Sequence, residues 1–101
     1  MMKFVADSEG ILRVTGLERL SVSNCADFKM LLQLYLNESI QIVELDCTGL
    51  RFIDSDGLGT LITIQKKLAA RSGKVRLQNT LPVVRQLLHL LRLDEIFELT
   101  P

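Results

Sequence analysis

The sequence predicts an α/β fold, a four- to five-stranded mixed sheet with helices packed on it, in the order β-β-α-β-α-β-α-β. Three observations predict it. Short β-branched runs alternate with stretches whose apolar residues recur every three or four positions, the pattern of strands joined by crossover helices. Turn-forming Gly, Ser, Asn and Asp separate these runs, with no repeat, linker or low-complexity tract between them. The 101 residues also form one block of composition, which places residues 1–101 in a single domain.

Lys3–Ala6 and Ile11–Thr15 are strands, and Asp7-Ser8-Glu9-Gly10 between them has the chemistry of a hairpin turn. Gly16 ends the second strand. A loop then runs to Ser23-Asn24, which are good helix N-caps. Phe28, Leu31, Leu32 and Tyr35 follow at i, i+3, i+4 and i+7, one face of an amphipathic first helix closed by Asn37-Glu38-Ser39. Ile40–Asp46 has the β-branched content of a central strand.

After Cys47-Thr48-Gly49 and Leu50-Arg51-Phe52-Ile53, the residues Leu58, Leu61, Ile62, Leu68 and Ala69 mark a second helix. Lys66, Lys67 and Arg71 gather at its C-terminal end, where the helix dipole favours cations, and Ser72-Gly73 stops it. Val75–Gln78 is a fourth strand. Thr80-Leu81-Pro82 opens a third helix with the face Val84, Leu87, Leu88 and Leu91. Ile96–Leu99 reads as a closing edge strand.

Composition excludes several functions. Twelve Lys and Arg meet twelve Asp and Glu, so the formal charge is zero. A chain that binds nucleic acid through its phosphates carries a basic excess. The first residues lack the apolar core and cleavage site of a signal peptide, and no run approaches the length of a membrane span. Cys25 and Cys47 are neither a CxxC pair nor a disulfide framework, which fits a reducing, cytoplasmic setting and places both thiols in or near the core.

Catalytic and cofactor motifs are missing as well. The single histidine, His89, sits among leucines without a visible partner, and one His with two separated Cys makes a poor metal set. Gly57-Leu58-Gly59 lacks the third glycine of a dinucleotide loop, and neither a Walker loop nor a Gly-x-Ser-x-Gly elbow is present. Asp54 and Asp56 are a candidate carboxylate pair for Mg²⁺, but acids flanking a helix start are more commonly dipole-facing caps. The expectation is a protein that is not an enzyme and needs no cofactor.

One segment stands out, Phe52-Ile53-Asp54-Ser55-Asp56-Gly57-Leu58-Gly59-Thr60-Leu61. An apolar run ends, and a serine is lifted to the start of a helix beside two glycines. Two readings fit these residues. Ser55 is an ordinary N-cap, with glycines for tight helix–sheet packing. Alternatively its hydroxyl is exposed at a terminus whose N–H groups and dipole favour an anion, so that a phosphate added there is held with little structural damage. Gly57 and Gly59 would then let a partner approach closely.

The motif Asp54-Ser55-Asp56-Gly57-Leu58-Gly59-Thr60-Leu61, after a strand ending in Leu45-Asp46 and then Leu50-Arg51-Phe52-Ile53, resembles the signature of the STAS domain. More narrowly it is similar to the stand-alone bacterial anti-sigma factor antagonists. The resemblance extends over the whole chain in element order and spacing, including Gly73 before the fourth strand and Leu93…Ile96-Phe97 near the end.

That resemblance implies a partner-switching module. Ser55 would be phosphorylated by an anti-sigma factor that is itself a GHKL-type serine kinase, and a PPM-type phosphatase would restore it. The unphosphorylated form would bind the kinase and release the sigma factor. Asp54 would orient the loop or receive partner contacts, and Gly57, Leu58 and Gly59 would shape the docking surface. The second helix would present the rest of the interface, with no nucleic acid bound directly and no insertion into a membrane. An alternative within the resemblance is a constitutive regulatory subunit of a lipid-trafficking ABC transporter.

Two positions depart from the family pattern. Many antagonists carry an acid after a glycine in the loop past the second strand, whereas Gly16-Leu17-Glu18-Arg19-Leu20 puts Arg19 there and leaves Glu18 as a substitute. Asp56 fills a slot usually held by a small residue. Its charge beside Ser55 either imitates part of a phosphate's effect or matches a basic patch on one kinase.

Overall fold

Each expected element forms, at residues close to those read from the sequence. The computed structural model describes residues 1–101. Strands β1 (Lys3–Ala6) and β2 (Ile11–Thr15) make the opening antiparallel hairpin. Next come β3 (Arg19–Leu20), α1 (Cys25–Tyr35), β4 (Ile42–Asp46), β5 (Phe52–Ile53) and α2 (Ser55–Ala69). The chain closes with β6 (Lys74–Gln78), α3 (Pro82–Leu90), a 3₁₀ turn at Leu93–Glu95 and β7 (Glu98–Thr100).

The main sheet has the order β1-β2-β4-β6-β7, and every pair after the hairpin is parallel. Each crossover steps to the next strand in the same direction. Right-handed connections therefore place α1, α2 and α3 on one face of the sheet. Burial follows the period of two. Leu12, Val14, Val43, Leu45, Val75 and Leu77 point under the helices and are buried.

The alternate positions carry charge across the other face. Arg13, Glu44, Arg76 and Glu98 are successive register partners. Arg13 lies 3.2 Å from Glu44, Arg76 lies 2.9 Å from the same carboxylate, and Arg76 also pairs with Glu98. Asp7 joins at one end, 2.6 Å from Arg13, and Lys74 at the other, 3.5 Å from Glu98. Opposite charges directly across strands support pairing. Glu44 is buried by the arginine stems around it, which explains an acid in a central strand.

Four details differ from expectation. A second, two-stranded sheet joins β3 to β5 in parallel, pairing Arg19 with Phe52 and Leu20 with Ile53. Asn24 occupies the N-cap of α1 but does not cap it. Its amide instead accepts the Ser21 N–H at 2.9 Å and donates to the Arg19 carbonyl at 2.8 Å, tying the loop to itself. Ser72, rather than Gly73, takes the left-handed conformation that ends α2 (φ 63°). The bare Gly73 answers to packing, since a Cβ there would lie 2.1 Å from the Gln41 carbonyl oxygen. Finally, the last strand starts at Glu98, because Leu93–Glu95 winds into a turn whose Leu93 carbonyl accepts from both Ile96 and Phe97.

Both cysteines lie where the sequence reading put them. Cys25 is half-buried and Cys47 fully buried. Burial, with the adjacent Asp46 charge, pushes the Cys47 thiol up to about 12, so it packs as a small apolar group. His89 is a largely exposed helix residue whose Nδ1 lies 2.7 Å from an Asp94 carboxylate oxygen.

Candidate functional site

The segment that stood out in the sequence forms the start of α2, and each of its residues has a distinct job. Ser55 is not the N-cap. Asp54 is, and its Oδ1 accepts the Gly57 N–H at 2.9 Å. Ser55 is thus the first helical residue, exposed, with its hydroxyl released from any capping duty. The first-turn donors divide accordingly. Gly57 is satisfied by the Asp54 carboxylate and Leu58 by the Asp54 carbonyl, at 2.9 Å each. The Ser55 N–H has no backbone acceptor, and the Asp56 N–H adds a weaker bond to the Asp54 carboxylate.

The second Asp54 oxygen reaches out of the helix. Oδ2 accepts the N–H of Val22 at 2.9 Å, linking the β3–α1 loop to the start of α2. The Asp54 N–H donates to the Leu20 carbonyl at 3.3 Å, so this one residue is bound to the loop through backbone and side chain together. The Gly57 bond first, then that from Val22, holds the Asp54 carboxyl below the usual carboxylate range. It is ionised at neutral pH, next to the exposed Ser55.

The two glycines do different things. Gly57 is buried, and a Cβ there would sit 2.0 Å from the Leu20 carbonyl oxygen. Its bareness serves the contact between α2 and β3, so Gly57 shapes the outer surface from beneath. Gly59 is exposed and has nothing within 4 Å of an added Cβ. It is the glycine that leaves open space on the outside. Leu58 is half-buried against the core, and Asp56 is exposed in the first turn. Thr60, inside the helix, returns its hydroxyl to the Asp56 carbonyl at 2.8 Å.

Glu18 and Arg19 are exposed and share a hollow with Gly49, Arg51 and Phe52. The Glu18 carbonyl accepts the Arg51 N–H at 3.0 Å, which starts the small sheet that leads two residues later into Asp54 and Ser55. The loop and the serine turn are therefore joined by a continuous ladder. Sequence reasoning missed Val22 and Leu20, the two backbone partners of this turn. Only the register of β3 against β5 identifies them.

The sequence matches the STAS domain family over residues 4–101. The chain belongs to the STAS domain family. Its solved structural relatives include stand-alone anti-sigma factor antagonists. One, from Thermotoga maritima and assigned as such an antagonist, superposes with a TM-score of 0.86 at 21% identity, covering 97% of this chain and 84% of that one. An anti-sigma factor antagonist from Mycobacterium paratuberculosis gives 0.80 at 22% identity, covering 100% and 86%. The Bacillus cell-fate determinant SpoIIAA, in its phosphorylated form, gives 0.67 at 15% identity, covering 100% and 92%. At these identities the likeness establishes the STAS fold, with its mixed five-stranded sheet and three helices on one face.

Two outcomes follow from the turn geometry. Gly57→Ala should destabilise the STAS domain by about 1–3 kcal/mol through the clash with Leu20. Gly59→Ala should stabilise it by about 0.5–1 kcal/mol through helix propensity. Urea unfolding of both variants checks this, and equal shifts of the same sign would contradict the division of labour.

The second concerns pH. A depressed folded pKa means that the ionised Asp54 stabilises the fold fully above the unfolded carboxylate value near 3.9 and loses that contribution as pH falls through the folded value. The stability gap between wild type and Asp54→Asn should be constant from pH 7 to about 5 and close below about 4. A gap that persists unchanged at pH 2 would show that the carboxylate charge is not what ties the turn.

Proposed function

We propose that this STAS domain is a phosphorylatable anti-sigma factor antagonist, a binding protein rather than an enzyme, with Ser55 as its switch. The observation that carries the reading is the position of Ser55: exposed in the first turn of α2 and relieved of capping by Asp54, at a helix start whose dipole favours an anion. Unphosphorylated, the chain would bind a GHKL-type anti-sigma serine kinase through the surface around Asp54, Asp56, Leu58 and Gly59, shaped from below by Gly57, with Glu18 on the neighbouring loop. A PPM-type phosphatase would reset the phosphorylated form.

The mechanism is electrostatic and steric exclusion. A phosphoserine carries about −1.5 to −2 charge at neutral pH, next to the fixed charges of Asp54 and Asp56. In the free protein the start of α2, with its helix dipole and the free Ser55 N–H, receives that charge without refolding. In a complex the dianion must lose its water. If that costs roughly 3–4 kcal/mol, affinity falls by about two to three powers of ten. The bonds among Asp54, Val22, Gly57 and Leu20 keep the serine turn in one geometry, so recognition needs no ordering step.

Titrating the GHKL-type serine kinases of the source organism against the chain tests the proposal. Ser55→Ala should bind one of them as wild type does, and Ser55→Asp should lose about a hundredfold or more. Equal affinities of the two variants would reject the switch. Tight, Ser55-independent binding to a transporter ATPase would establish the constitutive-subunit alternative in its place.

A further inference from the structure

A groove runs between α3 and β5. Val83, Leu87 and Leu90 line one wall at i, i+4 and i+7, and Phe52 with Ile53 lines the other, enclosing about 320 Å³. Ile53 belongs to the core and Leu87 packs against it, but the other three are open to solvent. Phe52 is 54% exposed, Val83 63% and Leu90 72%. An apolar stripe of this kind on the outer side of a helix, facing an exposed aromatic, is the composition of a binding surface rather than of an ordinary solvated face. The hairpin and the charged sheet face have nothing like it.

We propose that this groove receives a short amphipathic helix of a partner protein, apolar along one stripe and acidic on its flank. Size suits a short segment, because the groove is lined by eight residues along little more than two turns of α3. Shape selects a helix, because anchors spaced by one turn fit a groove whose own wall repeats every turn. Charge selects acidity. Arg51 is the only charged residue lining the groove, the adjoining hollow adds Arg19 and one acid, Glu18, and neither arginine takes part in an ion pair. A carboxylate on the incoming segment would meet the Arg51 guanidinium, whose planar fork suits bidentate pairing. The groove adjoins the hollow of Glu18 through Arg51 and Phe52, but none of the residues from Asp54 to Gly59 lines it, and the inference stands whether or not Ser55 is a switch.

Two synthetic 14-residue peptides test it, both with the same leucine stripe, one with glutamate and one with lysine on the remaining positions. Each is titrated into the intact chain by NMR, following backbone amides. The glutamate peptide should bind at least about tenfold more tightly than the lysine peptide, with the largest shifts at Phe52, Val83, Leu87 and Leu90. Arg51→Glu should abolish the preference, and Leu90→Ser should weaken binding of the glutamate peptide about tenfold while the amide spectrum stays folded. Equal binding of the two peptides, shifts centred elsewhere, or no binding would overturn the proposal. So would a concentration-dependent doubling of mass that Leu90→Ser removes, because the occupant would then be a second copy.

Discussion

The arrangement depends on how closely the α2 backbone approaches β3. That approach puts position 57 within 2.0 Å, measured from where a Cβ would be, of the Leu20 carbonyl oxygen. Only glycine fits, and with glycine in place the first turn of α2 lies against the small sheet. Asp54 then spans the junction, with one carboxylate oxygen on the helix and the other on the loop. The link between the start of α2 and the β3–α1 loop, through Asp54 and Val22, depends on this contact. A side chain at 57 would have to push α2 outward, and the Asp54 bridge would stretch with it.

The rest of the STAS domain divides its surfaces by chemistry. The sheet has one face under three helices and one face laced with ion pairs between register partners. Such a ladder keeps a five-stranded sheet soluble on its open side, because its charges are paired in place and sum to zero from Asp7 to Lys74. Apolar exposure is moved to the helical side and the small sheet, where Phe52 and the outer stripe of α3 lie. The chain is neutral overall, yet its ends of α2 differ, with Asp54 and Asp56 at the start and Lys66 and Lys67 at the finish, each complementing the helix dipole.

Much of this was legible in the sequence. The hairpin, the central strands and the helices show in the apolar period, because long elements repeat their signal several times. The small sheet does not, because two residues per strand, Arg19-Leu20 and Phe52-Ile53, carry no period and pair only through tertiary contact. The motif around Ser55 was visible, but which residue caps the helix was not. Asp and Ser are nearly equivalent caps, and the choice of Asp54 rests on Val22 being in reach of its second oxygen. The leucines of α3 misled in the other direction. Leu91 was assigned to the buried face by spacing alone, yet it is 51% exposed, since α3 ends at Leu90 and the chain turns through Arg92 in a left-handed conformation.

The central claim is that Ser55 carries a reversible phosphate. The most direct measurement is the intact mass of the protein isolated from its own host, in resting and in stressed cells, with a Ser55→Ala strain alongside. The account predicts one added phosphate that maps to Ser55, changes between the two conditions and is missing from the Ser55→Ala strain. An unmodified mass in every condition, or a phosphate that persists in that strain, would contradict it.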